Sequence, residues 1–251
     1  MDASILVPAA TAVFLIALVF SMLGLGGAML YVPTFKWLDL PLKTTAIPLG
    51  LLLNGVTSFS AFLRYWREGL VDFRGGLPAA LAAVLAAPLG ALCMQYVPRD
   101  ALLVLFAAFT ALAGFYSLKT GTSETAEPPS RQRRLLIGLT LGAGEGFVGG
   151  LLGVGGGFIV APVLMALGFP TKRAVATTSF IVTFASISGF AAHAAAGRFD
   201  ALLTATTLVA AIAGSQLGAW YMAQRAKPAW VKTFYGVLLL LVAAKLIWDI
   251  L

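Results

Sequence analysis

The sequence predicts an all-α polytopic membrane protein made of two inverted repeats, each holding a glycine-broken helical hairpin and three transmembrane helices. Three observations predict it. The 251-residue chain is 60% hydrophobic and only 11% charged, whereas a soluble domain carries about a quarter charged residues. Several apolar stretches approach or exceed ~20 residues, enough to cross a hydrocarbon core of ~30 Å. Two glycine clusters, GLGG at 24–27 and GVGGG at 153–157, interrupt such stretches in nearly the same words.

In chain order the apolar stretches cover 4–35, 44–63, 77–97, 101–118, 135–169, 174–196, 201–223 and 229–248. The first has no basic segment before it and has a counterpart in mid-chain, so it reads as structure rather than as a cleaved signal. The polar segment KTGTSETAEPPSRQRR, 119–134, carries two prolines and a basic end. It reads as a cytoplasmic linker between a first repeat, 1–118, and a second, 135–251.

The halves share a register. Gly24, Gly26 and Gly27 match Gly153, Gly155 and Gly156 at an offset of 129, as do Pro33 and Pro162, Pro41 and Pro170, and Lys43 and Lys172. At an offset of 128, Asp72 matches Asp200, and Leu89-Gly90-Ala91 matches Leu217-Gly218-Ala219. A steady register across most of each half is the mark of duplication, a common way to build transporters.

Charge decides the relative orientation. If all eight stretches crossed, the 17 Lys and Arg would divide nine against eight, without the usual cytoplasmic bias. Stretches 4–35 and 135–169 are also too long, since a straight helix of that length would run ~50 Å. If each folds back at its glycines, Lys36, Lys43, Arg99, Arg198 and Lys245 fall on one side and the other twelve basic residues on the opposite side. The halves are then inverted, and both termini are expected in the periplasm.

Backbone that stops being helical within a bilayer must be satisfied by protein or by a water-filled cavity. A helix restarting there aims its N–H groups and positive dipole end at that cavity, which suits an anion. Glycine permits the turn and a close approach of ligand to backbone. Gly24, Gly26 and Gly27, with Gly153, Gly155, Gly156 and Gly157, are therefore candidate substrate-binding residues. Gly142, Gly146 and Gly150 have the four-residue spacing of close helix packing instead. No nucleotide loop is present, since no GK[ST] follows either cluster.

The stretch GAGEGFVGGLLGVGGGFIVAPVLMALGFPTKRAVATTSF in the second half resembles the sulfite exporter TauE/SafE-like family. GLGGAMLYVP and GLVDFRGG in the first half resemble it more weakly, and the resemblance spans 15–248. It implies a secondary transporter of small anionic sulfur compounds, of sulfite, sulfonate or sulfoacetate type, in a bacterial inner membrane. It suggests no ATPase and no organic cofactor, and the sequence itself offers no metal-ligand spacing and no reactive pair for an enzyme. Ala28 and the segment AIPLG, 46–50, depart from the pattern that the second half keeps as Gly157 and ATTSF, 176–180.

Polar residues within the apolar stretches complete the candidates. Thr177, Thr178 and Ser179 either donate to sulfonate oxygens or bond their own helix carbonyls. Asn54 and Thr183 match at an offset of 129 and suit a site or an interhelical hydrogen bond. Glu145, eight residues before Gly153, is a coupling candidate, because an ionisable group at that depth is functional by default. The alternative is a protonated packing residue. His193, the sole histidine, suits proton coupling or an interfacial position. Ser188 and His193 lie about 140° apart around one helix and form no nucleophile–base pair.

The expected partners are a small anion, the lipid bilayer and protons, with no nucleic acid. Two alternatives stay open: an anion channel, or a transporter of a non-sulfur carboxylate.

Overall fold

The computed structural model describes residues 3–119, 131–153, 155–194 and 197–248. Among these there are ten α-helices: α1 Ala3–Leu23, α2 Ala28–Trp37, α3 Ile47–Arg67, α4 Phe73–Cys93, α5 Arg99–Lys119, α6 Arg131–Leu152, α7 Gly157–Ala166, α8 Thr171–Ala194, α9 Ala201–Gln224 and α10 Pro228–Trp248. Seven stretches of helix among the described residues are long and apolar enough to cross a membrane. The chain is thus a multi-pass helical membrane protein. Most of the expected linker, 120–130, lies outside the described residues, but its basic end, from Arg131, is the first turn of α6. Arg and Gln are good helix formers, so a basic segment beside an apolar run joins the helix readily.

Each glycine cluster divides a long helix from a short one. α1 and α6 have 21 and 22 residues, whereas α2 and α7 have 10 each. Gly24, Gly26, Gly27, Gly153, Gly155 and Gly156 all adopt positive φ, a region that side-chain-bearing residues enter at a cost. Pro33 and Pro162 sit inside α2 and α7 rather than at the breaks. Proline removes one backbone donor there, which neighbouring helices can compensate in a membrane protein.

Contacts set the helix directions. Gly142, Gly146 and Gly150 of α6 press against the backbone of Ala79, Ala83 and Ala87 of α4, so these helices run parallel. Gly214 and Gly218 of α9 meet Phe14 and Leu18 of α1, again parallel. Small residues let both pairs approach backbone to backbone, so close packing is the role of Gly142, Gly146 and Gly150. Ser215 and Gln224 of α9 reach the Thr57 carbonyl and Glu68, so α3 runs with α9. Gly76 faces Thr177, and Ser188 donates to the Val84 carbonyl, so α4 runs with α8.

Two pairs run antiparallel. Gly55 meets Ser186 and Ile187, while Gly189 meets Leu51, which sets α3 against α8. Ser117 donates to the Lys232 carbonyl and Gly114 faces Gly236, which sets α5 against α10. Within the first half, Ala28 contacts Asn54 while Val32 contacts Gly50, so α2 runs against α3.

Capping and anchoring follow simple chemistry. Asp72 accepts from the Arg74 N–H (3.2 Å) at the start of α4, and Asp200 accepts from the Leu203 N–H (2.9 Å) at the start of α9. The matched aspartates are thus helix caps. Trp37, Trp66, Trp230 and Trp248 are exposed near helix ends, where an indole suits the membrane interface.

Candidate functional site

The two breaks meet in the interior. A Cβ on Gly157 would lie 3.4 Å from the Gly24 carbonyl oxygen and from the Leu25 Cα. The centre of this meeting is Asn54, which has no exposed surface. Its Oδ1 accepts from the Ala28 N–H at 2.7 Å, and its Nδ2 donates to Ser186 Oγ at 2.6 Å. One amide therefore links the start of α2 to α8. The start of α2 is an orphan donor that needs an acceptor when buried.

Asn54 also touches both glycine clusters. A Cβ on Gly26 would lie 2.6 Å from Asn54 Cγ and 2.7 Å from Ser58 Oγ. A Cβ on Gly155 would lie 2.8 Å from Ser186 Oγ and 3.2 Å from Asn54 Cγ. Only a residue without a side chain leaves Asn54 in this position. Ser58, one turn beyond Asn54, is buried, and its hydroxyl has no hydrogen-bond partner among the described residues. Nearby, Tyr31 and Thr57 share a hydrogen bond of 2.9 Å between their hydroxyls.

The second break has different company. A Cβ on Gly156 would meet the Glu145 backbone carbonyl, and its Cγ and Oε1 at 2.9 Å each. Gly149, one turn after Glu145 on α6, is backed by Gly155 and Gly156. Glu145 is fully buried, and neither carboxyl oxygen has a partner among the described residues.

Tyrosines pin the ends of the breaks. Tyr65 donates to the Ser21 carbonyl at 2.6 Å in the last turn of α1. Tyr235 lies 3.3 Å from the carbonyls of both Gly157 and Phe158 in the first turn of α7.

The other sequence candidates are placed as follows. Thr178 donates to the Ala174 carbonyl (2.8 Å), Ser179 to that of Val175 (3.3 Å), and Thr183 to that of Ser179 (2.7 Å). These hydroxyl protons satisfy their own helix. Ser179 Oγ nevertheless borders the first break, 3.3 Å from where a Cβ on Gly24 would sit. Thr177 Oγ1 accepts from the Asp72 N–H at 3.0 Å, tying α8 to the start of α4. His193 is half-buried in the last turn of α8, with Nδ1 3.0 Å from the Gly189 carbonyl oxygen. It is seven residues past Ser186, or ~10 Å along the helix.

The sequence did not single out Ser58, Tyr65, Ser186 or Tyr235 as members of the site. The matched pair Asn54 and Thr183 does not touch through its amide; the amide reaches Ser186 instead. One signal was available for Ser186, since it matches Ser58 at the same offset of 128 that aligns Asp72 with Asp200.

Among the described residues, no group of three or more His, Cys, Asp or Glu could hold a metal. The site instead combines buried amide and hydroxyl groups with two restarting helices.

The description "Sulfite exporter TauE/SafE" matches residues 9–246. The chain is 26% identical to "Probable membrane transporter protein YunE" of Bacillus subtilis over 91% of this chain and 92% of that one. It is 31% identical to "Probable membrane transporter protein ORF9" of a Sinorhizobium species, over 86% and 83% of the two chains. A shorter region, 21% of this chain, is 47% identical to part of "Sulfite exporter TauE/SafE family protein 3" of Arabidopsis thaliana. No solved structure matches the chain. With nearly its whole length matched, the chain belongs to the sulfite exporter TauE/SafE family, a family of membrane transporters rather than enzymes.

Proposed function

We propose that this protein is a secondary transporter of small oxidised-sulfur anions that works by alternating access. The anion binds where the two glycine breaks meet, and the observation that carries this reading is the close approach of Gly157 to Gly24 and Leu25 beside Asn54. The starts of α2 and α7 supply positive dipole ends. Asn54, Ser58 and Ser186 supply polar atoms, and Ser179 and Thr183 share the neighbouring face of α8, whereas Thr177 faces α4. A sulfite, sulfonate or sulfoacetate group presents several acceptor oxygens at once, which suits two helix starts flanked by the Ser58 and Ser186 hydroxyls.

In this reading the halves are inverted repeats, each with one glycine-broken hairpin and three crossing helices. Helix direction supports it. α1, α3 and α9 run one way and α4, α6 and α8 the other, while α5 opposes α10. Every long helix therefore opposes its match in the other half. Exposure alternates as one repeat rocks against the other. The protein sits in a bacterial inner membrane with both termini periplasmic.

Thermal unfolding of the purified protein against sulfite, sulfate, thiosulfate, sulfoacetate, taurine, acetate and chloride tests this. A ligand of the folded state raises the melting temperature. Selective stabilisation by a sulfur oxyanion, lost in Gly155→Ala and kept in Gly144→Ala, is the expected result. Stabilisation by acetate alone would replace the sulfur reading with a carboxylate one. Counterflow in proteoliposomes separates a carrier from a channel: a carrier accelerates uptake when the far side is loaded.

A further inference from the structure

Glu145 is the only acidic side chain buried among the described residues. Its two oxygens lack partners there, and Gly156 at the start of α7 lies directly against it. The first half carries Ile16 at the matching position, 129 residues earlier. The carboxyl group is thus private to the second half-site.

No described side chain in the surroundings can balance a charge at Glu145. α4 presents Ala79, Ala83 and Ala87 to α6, and its titratable residues, Arg74 and Cys93, lie in the first and last turns. α7 has no titratable residue. α8 has Lys172 and Arg173 in its first turn and His193 in its last. Tyr96, in the turn after α4 that also packs on α6, is exposed. On α6 itself Arg133 and Arg134 stand 12 and 11 residues before Glu145, more than ~16 Å along the axis. The small cavity beside Gly146 and Gly149 is walled by glycine, alanine and leucine.

An ionised carboxylate here is uncompensated. It would also place a negative charge against the α7 N–H groups that the anion needs, and like charges at that separation repel strongly outside water. A protonated carboxyl group does neither, and it can donate one hydrogen bond.

We propose that Glu145 is the coupling site of the transporter: it binds one proton, and the anion enters the α7 half-site only together with that proton. This rests on the carrier reading above and deepens it. The proton bonds to a Glu145 carboxylate oxygen from water on the side to which the site is open. It returns to water on the other side as the anion leaves, and no other bond changes. His193, about 10 Å beyond Ser186 along α8, takes no part.

The test uses the full-length protein in proteoliposomes with sulfoacetate as probe and the membrane potential clamped to zero. Sulfoacetate is fully ionised at neutral pH and brings no proton of its own. A gradient of about one pH unit drives accumulation of about tenfold at one proton per anion. Wild-type protein is expected to show this accumulation as well as counterflow exchange. In Glu145→Gln the ratio of gradient-driven accumulation to exchange falls by about tenfold, and Glu145→Asp restores it.

A second readout needs no transport. The infrared carbonyl band of a protonated carboxylic acid is expected in wild type at neutral pH and is missing from Glu145→Gln. An unchanged transport ratio in Glu145→Gln, exchange without gradient-driven accumulation in wild type, or identical infrared spectra would each overturn the coupling role and leave the carrier standing. Wild-type protein that exchanges neither sulfoacetate nor sulfite would overturn the carrier reading, and the coupling with it, whatever the infrared band shows.

Discussion

The two glycine breaks share a backbone plan and differ in chemistry. At the first, Asn54 holds the Ala28 N–H with its own oxygen, so a neutral side chain occupies the helix start. At the second, the flanking side chain is the carboxyl group of Glu145, and its oxygens bond to nothing described. The first arrangement is satisfied and fixes the meeting of α2, α3 and α8. Among the described residues the second is left unsatisfied, at a depth where that is costly, which is the usual mark of function rather than of stability. Spatial crowding differs too. Gly26 is crowded by side chains that can rotate, while Gly156 is crowded by the Glu145 backbone.

Glycine replacement should break this comparison most strongly. Gly156→Ala forces a side chain into positive φ and against a backbone carbonyl, with an expected loss of about 3 kcal/mol or more. Gly26→Ala keeps the φ penalty and displaces the Asn54 and Ser58 side chains rather than backbone, so its loss should be the smaller, about 2–3 kcal/mol. Its larger effect should be on anion binding. Thermal unfolding in detergent ranks the two, and a reversed order would show that the second break yields more easily than the first.

The next effect separates the flanking side chains. Asn54→Leu leaves the Ala28 N–H buried without its acceptor, at a cost of about 2 kcal/mol. Glu145→Leu removes a carboxyl group that has no partner among the described residues, and should be neutral or stabilising. Equal destabilisation of both variants, measured by the same unfolding assay, would mean that Glu145 is as structural as Asn54.

Smaller effects sharpen the picture. Tyr235→Phe gives up one donor to the Gly157 and Phe158 carbonyls, and should lower stability by about 1 kcal/mol while leaving the first break unaffected. Gly144 is exposed, with open space where a Cβ would stand. Gly144→Ala should therefore change stability by no more than about 1 kcal/mol, towards gain, as helix propensity dictates. A large loss there would show that glycine on α6 is sensitive for reasons other than contact.

Much of the fold was legible from residue types and spacing. A run of some 20 apolar residues has few options in water, so the spanning helices follow from composition. The breaks follow from glycine repeated at one register, and the caps of α4 and α9 follow from Asp72 and Asp200 at matched positions. The lengths of α2 and α7 were less legible, because Pro33 and Pro162 lie inside the short helices, where proline ordinarily ends a helix. The site was legible only in part. Thr178, Ser179 and Thr183 look like ligands in a sequence, yet a carbonyl four residues back is always within reach of a helical hydroxyl. Ser58, Tyr65, Tyr235 and the partnership of Asn54 with Ser186 depend on contacts between distant segments, and no local pattern announces them.

The sequence alone determined that the chain lives in a membrane and that a helix-breaking glycine motif recurs at one register in each half. Both are properties of short segments and of their recurrence. Only the tertiary structure decided that the two breaks come together, that one amide closes the first of them, and that Glu145 faces the second with no hydrogen-bond partner among the described residues. Those outcomes rest on which helix faces pack together. Backbone-to-backbone packing of α4 on α6 and of α1 on α9 sets the depth and rotation of every side chain around the centre.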